Sequence, residues 1–229
     1  MRLITVDNGN THATVAYFDR GVLSSVVPLE QYSPNKDDII LISSVGKPLS
    51  LRPTHDLKEK RTKTHFFDMK VNYAETLGDD RLIASYGLYK KLKEKEKVLL
   101  IDAGTFITCD IVSSAGFEGG YIFPGINRFL KIYSDSAQLP HLSKDLLFKD
   151  AATDLPHTTD EAIIKACEIY LKASLEEVIK KNAPDKIVFT GGNALEIKNF
   201  LSLTIRSELD RHLVHSALSL IHAHHYSQA

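Results

Sequence analysis

Residues 3–18, LITVDNGNTHATVAYF, and residues 98–112, VLLIDAGTFITCDIV, carry the same order of features. Each runs from an apolar, β-branched strand into an aspartate, then a glycine turn with a hydroxyl residue, then a second strand. The Asn8-Gly9 pair predicts a two-residue hairpin, because Asn and Gly tolerate positive φ. Such a turn exposes successive backbone N–H groups in a concave nest suited to phosphate oxygens. Asp7, at the strand end, could hold Mg2+ directly or through water, and Thr11 and Thr14 add hydroxyl donors. An ordinary hairpin closed by an Asx-turn has the same local sequence. The repeat in Asp102, Gly104 and Thr105, with Thr108 and Asp110 beyond, is what favours a site: two facing hairpins can grip one polyphosphate and its cation. No P-loop competes, since Leu41 stands where G-x-x-x-x-G-K-[ST] requires Gly.

Further strand-like runs fall at 22–27, 39–45 and 186–190, short and bounded by Gly, Asn or Asp. Helical periodicity is clear over 79–93 (Leu82, Tyr86, Tyr89), over 159–181 (Ile164, Cys167, Leu171, Leu175, Val178) and over 207–224 (Leu209, Leu213, Leu220, His224). The second of these opens on a Thr-x-x-Glu capping box, Thr158 to Glu161. Strands mixed with crossover helices predict an α/β protein. The charged run KKLKEKEK at 90–97 reads as a solvated helix end and a boundary, giving halves 1–96 and 97–229. Residues 126–157 are less periodic and read as helices or loops capping a site in the second half.

Net charge is −1, from 28 basic and 29 acidic residues, so the overall balance points neither to nucleic acid nor to an anionic membrane surface. Two cysteines in apolar segments predict no disulfide framework and a reducing, cytoplasmic setting. The N-terminus begins a strand rather than a secretory signal, and no apolar run approaches a membrane span.

Three more stretches carry chemistry. In LGDDRLIAS (77–85), Asp79 or Gly78 caps a helix, and Asp80 lies in its first turn, where the helix dipole favours the carboxylate. With Arg81 adjacent, Asp80 could accept a hydroxyl proton while the guanidinium fixes an anionic substrate; a capped, salt-bridged surface helix is the plain alternative. GGYIFPG (119–125) and KIVFTGGNA (186–194) each set paired glycines where backbone can approach a ligand closely. The C-terminal HAHH cluster has ligand-type side chains but no acidic or Cys partner, so a metal site is disfavoured.

In order, D-x-G-N-T, G-x-D-R, D-x-G-T-x-x-T-x-D, G-G-x-I-x-P-G and T-G-G resemble the type III pantothenate kinases, of the acetate and sugar kinase, Hsp70 and actin superfamily. The resemblance spans about residues 3–194. It implies an α/β fold of two ribonuclease H-like halves, each a mixed sheet flanked by helices. It implies ATP-dependent phosphorylation of the primary hydroxyl of pantothenate, the first step to coenzyme A. Asp7, Asn8, Gly9, Asn10, Thr11, His12, Ala13 and Thr14 would form the ATP phosphate hairpin, and Thr105 would touch ATP. Gly78, Asp79, Asp80 and Arg81 would contact pantothenate, Asp80 as proton acceptor and Asp79 as the helix cap. Asp102 would help bind an activating monovalent cation, K+ or NH4+, and Thr159 would contact substrate. A homodimer is expected on the same ground. The chain departs from the family pattern at Phe106, Ile107 and Asn193, lacks the Asn-Pro often found before Leu77, and offers Tyr73 as the candidate pocket tyrosine. Two other readings are another small-molecule kinase of the superfamily and a non-catalytic nucleotide-binding regulator.

Overall fold

The computed structural model describes residues 2–135, 138–149 and 155–227. Strands β1 (Arg2–Asn8), β2 (Ala13–Asp19), β3 (Val22–Pro28) and β4 (Asp38–Ser44) form one mixed sheet in the order β3-β2-β1-β4. The β1–β2 and β2–β3 pairs are antiparallel and β1–β4 is parallel. The short strands β5 (His65–Phe66) and β6 (Met69–Lys70) pair with each other and lead into helix α1 (Asp79–Tyr89). Next come β7 (Val98–Ala103), β8 (Phe106–Ser113), β9 (Gly116–Pro124), α2 (Ile126–Ser134), α3 (Thr159–Asn182), β10 (Lys186–Thr190), α4 (Ala194–Phe200), β11 (Arg206–Leu209) and α5 (Leu213–His225). The second sheet has the order β11-β10-β7-β8-β9.

By contacts the residues group into two compact units: 1–98, 110–119 and 212–229 in the first, and 99–109 with 120–211 in the second. Helix α5 therefore belongs with the first unit, whereas a division at 96/97 puts it in the other half. The cause is packing: α5 lies on α1, β1 and β4. On the first sheet, Ile4, Val6, Val15 and Ile40 form a core cluster on one face. Strand parity places Thr5 and Asp7 on the other face, toward α1 and α5.

Two expectations are corrected. The β1–β2 connection is the four-residue loop 9–12, closed by the Gly9 N–H donating to the His12 carbonyl at 3.1 Å, and no residue from 8 to 12 has positive φ. The paired glycines Gly119 and Gly120 lie inside β9, with Gly119 at φ +131. The third predicted helix begins at Leu213; Leu209 lies in β11, paired in parallel with Phe189. Its buried residues are Leu213, as predicted, with Val214, His215, Ala217, Leu218, Ser219 and Ile221, and His224 is exposed. The capping box of α3 forms as read, with Thr158 as the cap and Thr159 as the exposed first residue. The 126–157 segment contributes α2 and a 3-10 turn at Lys144–Leu146; Ser136, Ala137 and 150–154 lie outside the described residues.

Candidate active site

In the first unit, Asp7 sits near the end of β1, in register with Thr14 of β2 on one side and Ser43 of β4 on the other. Ser43 is fully buried, and among the described residues its hydroxyl has no hydrogen-bond partner. Asn8 is buried and braces the next turn: its Nδ2 donates to Ser44 Oγ and to the Lys47 carbonyl, both at 2.8 Å. The N–H groups of Val45 and Gly46 donate back to the Asn8 carbonyl at 3.0 and 2.9 Å. A Cβ on Gly46 would lie 2.4 Å from the Gly9 carbonyl oxygen, so only glycine admits this approach. The β4 end, residues 43–47, thus belongs to the site. Sequence reasoning passed over it, though its Val-Gly after an apolar strand was a readable signal.

Helix α1 begins at the same place. Its cap is Gly78, not Asp79, and no side chain caps it. A Cβ on Gly78 would sit 2.7 Å from Asp80 Oδ1 and 3.2 Å from Val45. Asp80 accepts from the Arg81 N–H at 2.7 Å. Burial pushes the Asp80 carboxyl above the usual carboxylate range, against that hydrogen bond and the Arg81 charge. The expected dipole-lowered value is thereby reversed, because burial outweighs one helix terminus. Asp7 is pushed up to about 7, by burial first and by the charge of Asp80 second. Two carboxyls both pushed up by burial, one of them also by the other's charge, beside an unpartnered buried hydroxyl, suit a cation with oxygen ligands. Among the described residues no group of three or more His, Cys, Asp or Glu could hold a metal. Mg2+ held through one or two carboxylates and substrate phosphates needs no such group.

Arg81 is paired with a buried carboxylate. It is 7% exposed, and its Nε donates to both oxygens of Asp110, itself fully buried, at 3.1 Å; Nη2 also bonds Asp110. Its guanidinium carbon lies 5.2 Å from the Tyr73 ring centre and 5.9 Å from that of Phe117. This pair ties α1 to β8 and fixes the turn that carries Asp80. Asp79 points elsewhere: it is 3.8 Å from Lys58 and borders a cavity of about 620 Å³ lined also by Ile42, Leu51, Leu57 and Leu82.

In the second unit, the later motifs converge on the Asp102–Thr105 turn. A Cβ on Gly191, at φ +92, would lie 2.3 Å from Asp102 Oδ1. One on Gly125 would lie 2.5 Å from the Gly104 carbonyl oxygen. The Gly125 N–H donates to the Thr105 carbonyl at 3.2 Å, and the Asn193 N–H to the Ala103 carbonyl at 2.9 Å. Asn193 also accepts from Lys144 Nζ at 2.7 Å. Of the other departures, Ile107 is core, and Phe106 is 40% exposed with the Arg128 guanidinium carbon 5.5 Å from its ring centre.

Of the C-terminal histidines, His225 is tied to Tyr86 and Phe67. Tyr86 donates to Asp68 at 2.7 Å, so His225 Nε2, 2.8 Å away, is the donor to the Tyr86 oxygen, and Phe67 stacks on the His225 ring. Among the described residues no helix is long and apolar enough to cross a membrane.

A family model described as type III pantothenate kinase matches residues 21–181. The type III pantothenate kinase of Aquifex aeolicus is 28% identical over 215 residues, covering 87% of this chain and 90% of that protein. A conserved candidate transcriptional activator of the Baf family from Campylobacter jejuni is similar in structure, with a TM-score of 0.59 at 24% identity over 96% of this chain and 97% of that one. So is a candidate 2-dehydro-3-deoxygalactonokinase from Sinorhizobium meliloti, with a TM-score of 0.60 at 12% identity over 98% and 99%. These two likenesses show the fold alone, an actin-like α/β fold. With the family model matched over most of its length, this chain belongs to the type III pantothenate kinase family.

Proposed function

We propose that the protein transfers the γ-phosphoryl group of ATP to the primary hydroxyl of pantothenate, with Asp80 as the proton acceptor. The observation that carries the assignment of Asp80 is its place beside Asp7 in the first turn of α1, with its carboxyl pushed up by burial. A carboxylate above its usual range is a better base, and phosphoryl transfer needs a well-placed acceptor more than a strong one. The pantothenate oxygen bonds to phosphorus, the bond to ADP breaks, and the hydroxyl proton passes to Asp80. The Asp7–Thr14 hairpin would receive the phosphates through its backbone N–H groups and hydroxyls. Asp7 would hold Mg2+, which supplies neutralisation of the phosphate charge when bound. In the second unit, Thr105 would touch ATP and Asp102 would hold K+ or NH4+. Gly78 and Arg81 would shape the pantothenate site, Arg81 through its lock on Asp110 rather than as a substrate clamp. Asp79, facing Lys58, and the exposed Thr159 are weaker substrate contacts on this reading. A homodimer in the cytoplasm is the expected state.

The test is ADP release with pantothenate, with and without K+. Asp80→Asn is expected to keep pantothenate binding and lose at least about a hundredfold in kcat; undiminished turnover removes Asp80 from the base role. Asp102→Ala is expected to abolish K+ stimulation, and a variant still stimulated normally puts the cation elsewhere. ATP binding with no turnover of pantothenate would favour the regulator reading.

A further inference from the structure

His215 is 2% exposed, on the buried face of α5, and is used by none of the steps above. Both ring nitrogens are engaged: Nδ1 lies 2.8 Å from Thr5 Oγ1 and Nε2 lies 2.9 Å from Thr14 Oγ1. Thr5 stands two residues before Asp7 on β1, and Thr14 is the cross-strand partner of Asp7 on β2. The three side chains therefore share one face of the hairpin, and the ring bridges two of them.

The tautomer follows from counting protons. A neutral imidazole donates from one nitrogen and accepts at the other. Thr5 is fully buried, and His215 Nδ1 is the hydrogen-bond partner of its hydroxyl among the described residues. Were Nδ1 the donor, the Thr5 hydroxyl proton would be buried with no acceptor, at a cost comparable to a lost hydrogen bond. Nδ1 must accept from Thr5, and Nε2–H must donate to Thr14. Thr14 then uses a lone pair for the ring and keeps its own O–H for another acceptor, and it is the partly exposed member of the chain.

We propose that His215 is a positioning residue of the nucleotide site: set as the Nε2–H tautomer by Thr5, it aims the Thr14 hydroxyl proton at a phosphate oxygen. The reverse tautomer would make Thr14 a donor to the ring and present only lone pairs to an anion, which repel it. Burial, helped by His212, holds the His215 ring down to about 4, so the relay is neutral through the physiological range. The inference rests on the reading that the 7–14 hairpin holds the ATP phosphates.

Nitrogen-15 imidazole NMR on the unaltered protein at neutral pH reads the tautomer without any substitution. The expected result is Nε2 protonated and Nδ1 bare; an Nδ1–H ring or an imidazolium overturns the proposal. Calorimetric titration with ATP and steady-state kinetics read the consequence. His215→Leu is expected to weaken ATP roughly 10- to 150-fold, as for a hydrogen bond to a charged group, with pantothenate KM unchanged. His215→Gln, which keeps an amide donor, should recover part of the loss. In a Thr14→Val background, His215→Leu should add nothing further. Equal loss toward both substrates, or additive losses in the double variant, would mean a merely structural histidine and overturn the relay. If the unaltered protein binds no ATP, the nucleotide reading itself falls; if it binds ATP and His215→Leu binds equally well, only the relay falls.

Discussion

Asp7 shows how much of a residue's chemistry is set by its surroundings. Its type and its place before a Gly turn are local facts, yet its charge state depends on burial and on Asp80. With a folded value of about 7 against an ordinary 3.8, the nucleotide-free protein holds the Asp7 proton more tightly than the unfolded chain does. That contribution is therefore complete below about pH 4 and is lost as pH rises through 7. Asp7→Asn should be more stable than the parent at pH 8, by at most about 4 kcal/mol at 1.36 per unit, and the gap should close toward pH 4. Urea unfolding of the nucleotide-free proteins across that range measures it. A gap that does not change with pH would mean Asp7 ionises normally. His215 works in the other direction: its lowered value makes the fold lose stability as pH falls from about 6.5 toward 4.

At the scale of elements, α1 is the instructive case. Leu82 and Tyr86 are both buried, as their spacing predicts, but so is every residue from Arg81 to Leu88. The helix is enclosed, and Gly87 lets α5 come close: a Cβ there would lie 2.6 Å from that of Ala217. In an enclosed helix the periodic stripe marks only part of what is buried, because no face needs to be polar. Within its enclosed stretch Arg81–Leu88 the charge is Arg81, matched by Asp110. Asp110→Asn leaves the guanidinium under-compensated and should cost about 3–5 kcal/mol, read as a fall in Tm. Arg81→Met with Asp110→Leu should recover most of that stability, and a double variant as unstable as the single would mean the pair is not what holds α1 to β8. Edge elements were the harder ones to read. Strand β9 carries paired glycines and ends in Pro124, and β11 is the polar stretch RSEL; both sit at the edges of their sheet, where apolar alternation is least required.

Over the whole molecule, chain order and compact units do not coincide. Helix α5, last in sequence, covers β1 and β4, supplies His215 to Thr5 and Thr14, and pins its end through His225 to Tyr86. Removing 212–229 should therefore cripple the first unit rather than trim a tail. Hydrogen exchange on the truncated chain should show protection lost in β1, β4 and α1 and kept in β7 and β10. Protection lost uniformly, or nowhere, would contradict the grouping of α5 with the first unit.

The sequence by itself determined what depends on near neighbours. Strand–Asp–Gly turns, the α3 capping box, the Leu171–Leu175–Val178 stripe and the order of five motifs are all local or periodic, and each survives in the fold. Only the tertiary structure decided which distant groups meet. Gly46 against Gly9, Arg81 on Asp110, Gly191 against Asp102, and His215 between two threonines join positions with no shared period. A lone polar residue in an apolar run gives no sign of its partner. Its partner, its tautomer and its charge are fixed only when burial removes water as the alternative.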